Sequence, residues 1–292
     1  LAGSSATTES LRLGRSTSRP RPPAAGATFA APMQPDDAYY APDGPASFVA
    51  SAWTRGPWDP RLQHGGPPAA LMLRALEREA GREFQLARLT VEFLRGVPID
   101  RCTVTTERTR DGRRALGFTA ALAVAGRPCA RAHGLFVRRA DLPVPEELVP
   151  PAAPADPLAW PAHTFSFFGE PVGYHTSVDV RYGTGPFEPG SGAAWLRLRG
   201  RLVAGEDPSP AQRVAVAADA INGVGFALDF TRYTFINADL TIYLHREPTG
   251  PWVLLRATHR SQPTGLGLVD AELADARGPI GRALEAQVLG LR

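Results

Sequence analysis

Between Pro210 and Asn222 the chain reads as a helix carrying a single acid, Asp219. Val214, Ala215, Ala218 and Ile221 make its apolar stripe, and Asp219, four residues after Ala215, borders that stripe. It also falls in the last turn, where the helix dipole is negative and disfavours an anion. An acid set against both preferences is either bonded to a neighbouring loop or placed for chemistry. A second candidate is His64-Gly65-Gly66, just ahead of Pro67 and Pro68. Glycines there let a carbonyl oxygen approach backbone N–H groups at the positive start of a helix, which favours developing negative charge. The same glycines also suit a tight strand-to-helix turn, and His64 beside them reads either as a base or as a packing or capping residue. Cys102 and Cys129 have neither CxxC spacing nor a neighbouring His cluster. They read as two buried, reduced thiols, because a structural zinc site needs about four ligands. No metal is expected. There is no Gly-x-Ser-x-Gly elbow for a serine nucleophile.

These groups must be held by elements, and the chain writes its elements twice. Leu89-Thr90-Val91-Glu92-Phe93-Leu94-Arg95 returns as Leu240-Thr241-Ile242-Tyr243-Leu244-His245-Arg246, a shift of 151 positions. At the same shift, with no gap, Gly126 through Ala132 falls on Arg277 through Ala283. One ungapped register across four strand-like segments marks two copies of one module. In the first copy, prolines in the first turn and helix formers from Ala69 to Glu79 predict a helix over 67–80. Strands are expected at about 87–95, 101–109, 113–125 and 128–138, with hairpin signals at Arg110-Asp111-Gly112-Arg113 and Ala125-Gly126-Arg127-Pro128. In the second, 174–182 and 193–202 read as strands. Ser209 or Asp207 caps a helix over about 210–222 that Gly223 stops. Strands follow at about 237–246, 252–260, 265–275 and 279–289.

The expected organisation is a disordered tail over 1–32, a first module over 33–140, a proline-rich linker over 141–162 and a second module over 163–292. Met33 reads as the natural start of the folded protein, an expectation that intact-mass measurement checks. The chain has 292 residues, 43% hydrophobic and 21% charged, as in a soluble globular protein. Its formal net charge of +3 comes from Arg12, Arg15, Arg19 and Arg21 against Glu9 in the first 32 residues. The remainder is neutral overall, so no nucleic-acid partner is expected, and no apolar run reaches the length of a membrane-spanning helix.

Trp58-Asp59-Pro60-Arg61-Leu62-Gln63-His64-Gly65-Gly66, Phe93-Leu94-Arg95-Gly96, the Arg110-Asp111-Gly112 turn and Asp239 through Arg246 resemble, in order and spacing, the bacterial acyl-CoA thioesterase II (TesB-like) family. The resemblance covers roughly residues 45–290. It implies an α+β double hotdog: two tandem modules, each with one long helix packed on a curved antiparallel sheet. It also implies hydrolysis of an acyl-CoA thioester without a cofactor, with Asp219 orienting or activating water. A Thr near the start of the following strand and a Gln on the last strand complete the family's triad. Carried over in register with Asp239, the Thr position falls on Asn237, whose amide offers a donor and an acceptor. Through Gly281-Arg282-Ala283 the Gln position falls on Glu285, while Gln287, two residues on, faces the same side of the strand. Both stay open. Were Glu285 to fill it, two acids would share the site and one would raise the pKa of the other. His64, Gly65, Gly66 and Arg246 are expected on the substrate side. Arg246, matched by Arg95, meets coenzyme A phosphates or is a solvated strand-end charge.

Two further readings remain. A hotdog hydratase or dehydratase of enoyl or hydroxyacyl thioesters is suggested by Asp219-Ala220-Ile221-Asn222, similar to that family's Asp-x-Asn. A non-catalytic acyl-binding protein is suggested by the departures at Asn237 and Glu285. The chain is expected to be cytoplasmic and a homo-oligomer, since exposed sheet edges favour association.

Overall fold

A computed structural model of the protein describes residues 37–152, 155–183, 187–225 and 228–292. The tail expected over 1–32 lies outside the described residues. In chain order the first half holds β1 (Ala38–Pro42), β2 (Ser47–Ala50), α1 (Gly66–Ala80), β3 (Phe84–Phe93), β4 (Arg101–Asp111), β5 (Ala115–Val124) and β6 (Arg127–Arg138). The rest holds β7 (Ala162–His163), α2 (Tyr174–Ser177), β8 (Val178–Tyr182), β9 (Ser191–Leu198), β10 (Arg201–Val203), α3 (Pro210–Ala218) and α4 (Ile221–Val224). It closes with β11 (Tyr233–Asn237), β12 (Asp239–Leu244), β13 (Trp252–Ser261), β14 (Leu266–Asp275) and β15 (Gly278–Leu291).

All these strands join one sheet, in the order β10-β1-β2-β4-β5-β6-β3-β12-β15-β14-β13-β9-β8-β7, with β11 also on β15. The four repeated strands mirror each other about the β3–β12 pair: β4-β5-β6-β3 meets β12-β15-β14-β13. At that seam Thr90 lies opposite Thr241, the residue it becomes under the shift of 151. The pair therefore maps onto itself, and a local twofold axis passes through it, the two hydroxyls 3.4 Å apart. Alternation along these strands sends Leu89, Val91, Leu240 and Ile242 to the buried side. Both cysteines are buried and unpaired, and burial pushes the Cys102 thiol up to about 12.

α1 follows its sequence signals: Pro67 and Pro68 open it, and Gly81 at φ +80 ends it. Its residues from Gly66 to Arg74 are covered by the sheet and by α3. The second long helix expected over 210–222 is absent as such. α3 stops after nine residues at Ala218, Asp219 and Ala220 leave helical geometry at ψ −4 and +2, and α4 adds one turn. Asp219, at the break, directs its side chain to the start of α1. Tyr174, expected in a strand, opens the short α2 instead. Among the described residues no helix is long and apolar enough to cross a membrane.

Candidate active site

α1 and α3 run antiparallel, so the start of one lies against the end of the other. Gly66 packs on the backbone of Val216, and a Cβ there would overlap the Val216 carbonyl. A Cβ on Gly65 would stand 2.6 Å from the Phe93 ring and 2.7 Å from Asp219 Oδ1. Two glycines are therefore the condition for bringing the carboxylate against the helix start.

Asp219 is 3% exposed, and three N–H donors converge on it. Gly66 N–H donates to Oδ2 at 2.9 Å, His64 Nδ1 stands 2.8 Å from the same oxygen, and Asn237 Nδ2 donates to Oδ1 at 3.0 Å. The acid that opposes the dipole of α3 thus lies at the positive pole of α1. Asn237 Oδ1 accepts from Asn222 Nδ2 and from Gln287 Nε2, each at 2.9 Å. That fixes its amide with nitrogen toward Asp219. The His64 ring stacks on Tyr174, centroids 3.8 Å apart and planes 2° from parallel, and the Tyr174 hydroxyl donates to Val216 O at 3.0 Å.

His64, Gly65, Asp219, Asn222 and Asn237 form the polar end of a cavity of about 340 Å³. Its other walls are largely aromatic, with Trp58, Phe165, Phe167, Phe168, Phe230 and Phe235 among them. Trp58, Phe230 and Phe167 stack in series, with centroids 4.6 and 4.5 Å apart. Arg95 stands at the same cavity. The arrangement offers a buried carboxylate with one lone pair on Oδ1 unclaimed among the described residues, next to a free backbone donor and an apolar chamber.

The structure gathers Asp219, Asn237, Gln287, His64, Gly65 and Gly66, leaves Glu285 near them but unbonded, and engages Arg246 elsewhere. Arg246 is a correction: its guanidinium is clamped bidentately on Asp275 at 2.6 Å and on the carbonyls of Gly278 and Pro279. Burial raises the Asp275 carboxyl, but Arg246 and the N–H groups of Thr249 and Arg277 outweigh it and bring it down to about 2. An arginine so committed has nothing left for a phosphate. Glu285 is fully buried with no hydrogen-bond partner on either oxygen among the described residues, and burial, then Asp219 and Asp239, push its pKa well up. It bonds neither Asp219 nor Asn237, whereas Gln287 does reach Asn237. Of the two glycine N–H groups expected to face a carbonyl oxygen, Gly66 is taken by Asp219, and only that of Gly65 remains. Trp58 lines the cavity, as do Tyr174 and Asn222. The run Phe165-Ser166-Phe167-Phe168 carried a visible aromatic signal but no periodicity to place it.

Residues 54–137 match the sequence family described as acyl-CoA thioesterase N-terminal domain, and residues 145–287 match its C-terminal domain. Together the two matches span well over half the chain. No curated protein sequence matches. Among solved structures, a hot dog fold protein of unknown function from Alicyclobacillus acidocaldarius is 19% identical, with a TM-score of 0.67 over 88% of this chain and 97% of that one. A tesB protein of Mycobacterium avium subsp. paratuberculosis is 16% identical, with a TM-score of 0.63 over 86% and 95%. An acyl-CoA thioesterase II, TesB2, from Mycobacterium marinum is 17% identical, with a TM-score of 0.61 over 85% and 92%. These likenesses establish the hotdog fold.

Proposed function

The chain belongs to the acyl-CoA thioesterase family and is a thioester hydrolase, and from that premise we propose that Asp219 activates the water that attacks the acyl-CoA carbonyl. The acyl group lies in the aromatic chamber and the thioester at its polar end. The open lone pair of Asp219 Oδ1 takes the water proton while Asn237, fixed by Asn222 and Gln287, holds that carboxylate and the water in line. Negative charge then grows on the carbonyl oxygen, where Gly65 N–H and the positive pole of α1 stabilise it. Collapse breaks the C–S bond, and the proton held by Asp219 passes to the leaving thiolate. Free acid and coenzyme A leave, so atoms and charge balance without a covalent enzyme intermediate.

One observation carries this reading: a buried carboxylate on which three N–H donors converge at a helix start, opening on an apolar cavity. The test is free-thiol release from a panel of acyl-CoAs. Asp219→Asn is expected to lower kcat by about 10²–10⁴, the range for a positioned general base, with little change in melting temperature. Saturable acyl-CoA binding without thiol release by the wild type would favour the acyl binder. Loss of an enoyl-CoA double bond without thiol release would favour the hydratase.

The His64–Asp219 contact of 2.8 Å supports a second assignment, in which His64 Nε2 is the base and Asp219 orients its ring. His64→Gln decides between them. With Asp219 as base, the variant keeps kcat within about tenfold of wild type; with His64 as base, it falls as far as Asp219→Asn.

A further inference from the structure

The twofold axis through Thr90 and Thr241 carries the active site onto a second place in the molecule, and a cavity of about 220 Å³ lies there. Its walls are register equivalents of the active site. Phe84, Gln85 and Leu86 stand where Phe235, Ile236 and Asn237 stand in the other half, Leu244 where Phe93 stands, and Phe136 where Gln287 stands. The carboxylate is duplicated as well. Glu77, in the last turn of α1, accepts Ser209 Oγ at 2.8 Å and Gln212 Nε2 at 2.6 Å, at the start of α3. It thus mirrors Asp219, which ends α3 and is held at the start of α1.

What the second place lacks is the amide pair. Leu86 and Phe136 replace Asn237 and Gln287, so no side-chain amide stands beside Glu77 from these strand positions to hold a water. What it keeps is an apolar wall of Phe84, Leu86, Phe136 and Leu244, beside polar residues, and a cation. Arg82 lines it with no partner for its guanidinium among the described residues, whereas Arg139 is neutralised by Glu247 at 2.8 Å.

We propose that this second cavity binds an acyl chain bearing an anionic head, without turning it over. The apolar chain lies against Phe84, Leu86, Phe136 and Leu244, and the head meets Arg82. Burial raises the Glu77 pKa, against the hydrogen bonds from Gln212 and Ser209 that lower it. The product acid carries its charge at the end of the chain, and acyl-CoA carries it on the phosphates beyond the pantetheine arm. The ligand class rests on the hydrolase reading, whereas the count of sites does not.

Calorimetric titration with two probes tests it: a non-hydrolysable octyl thioether of coenzyme A, and octanoate. Wild type is expected to bind two molecules of at least one probe per chain. Ala211→Leu, which projects into the second cavity, is expected to leave one. Arg82→Glu, an exposed change that spares the core, is expected to weaken only the second event by about tenfold. Both variants should hydrolyse substrate as wild type does. A second event seen with octanoate alone identifies the free acid as occupant, and one seen with the thioether alone identifies the thioester. One molecule per chain for both probes overturns the proposal, as does a second event indifferent to Arg82→Glu. Failure of thiol release in wild type, with two bound thioethers, sinks the hydrolase reading and leaves the second site standing.

Discussion

Asp219 stands at the carboxyl end of its own helix and at the amino end of another, and this resolves what its sequence position left open. The sequence marked it as misplaced with respect to α3; only the packing of α1 on α3 supplies the compensating pole. Gly65 was legible as a close-approach glycine, but the approaching carboxylate was not, because Asp219 comes from far along the chain, in the other half. Gly65→Ala is therefore expected to cost about 1–3 kcal/mol as overpacking and to lower kcat at least about tenfold by shifting the carboxylate. Thermal melts and thiol release read the two effects separately. Glu285 illustrates the opposite limit: register placed it near the site, but no sequence rule showed that it would be buried without a partner. Its folded pKa lies above the unfolded value, so the folded state holds a proton that the unfolded chain releases above about pH 4.5. Stability is then highest below that pH and falls as pH rises toward the folded value. Glu285→Gln should flatten this fall and exceed wild type in urea midpoint from about pH 6 to 8, with no advantage near about pH 4. Parallel wild-type and variant profiles would show that Glu285 is not the group responsible.

The strands were legible because each obeys a two-residue alternation closed by a turn signal, and because the repeat counts them twice. β4 and β5 (101–111 and 115–124), shifted by 151, give 252–262 and 266–275, against observed strands at 252–261 and 266–275. The helices do not share that shift: Gly66 opens α1 and Pro210 opens α3, a displacement of 144. The missing seven positions are taken up after α3, where Asp219, Ala220, α4 and the segment before β11 carry the chain back into register. Periodicity continued the helix to 222 because Ile221 fits the apolar stripe, and it had no means to register a carboxylate pulled toward a distant backbone N–H. The start of α3 was better signalled. Ser209 accepts the Gln212 N–H at 3.1 Å as a helix cap and donates to Glu77, so it ties the two helices as well as starting one. Ser209→Ala is expected to cost about 1–2 kcal/mol, read as a lower urea midpoint, with kcat unchanged because Ser209 lies at the opposite ends of α1 and α3 from Asp219. A fall in kcat as large as that of Gly65→Ala would mean that helix pairing, rather than local geometry, sets the position of Asp219.

At the scale of the molecule, the repeat has been turned into one continuous sheet. β3 and β12 pair over five residues from each half, and β10, from the second half, adds in parallel to β1 at the far edge of the first. Neither half therefore presents its own closed boundary: the seam buries Leu89, Val91, Leu240 and Ile242 from both sides, and α1 and α3 cover each other. Two modules joined by a proline-rich segment would suggest two independent melts. The shared ladder and shared helix layer argue instead for one cooperative transition. Trp195 is wholly buried in the second half, so tryptophan fluorescence is weighted toward that half, while far-UV circular dichroism reports on both. The two urea curves should coincide in wild type. Leu240→Ala, which empties a fully buried position at the seam, should cost about 2–5 kcal/mol and move both curves by the same amount. A fluorescence transition that shifts while part of the dichroism stays at the wild-type midpoint would show that the first half survives alone. The seam would then be a contact between two finished modules. In the cooperative case, the carboxylate of one half and the helix start of the other become a working pair only in the fully folded chain.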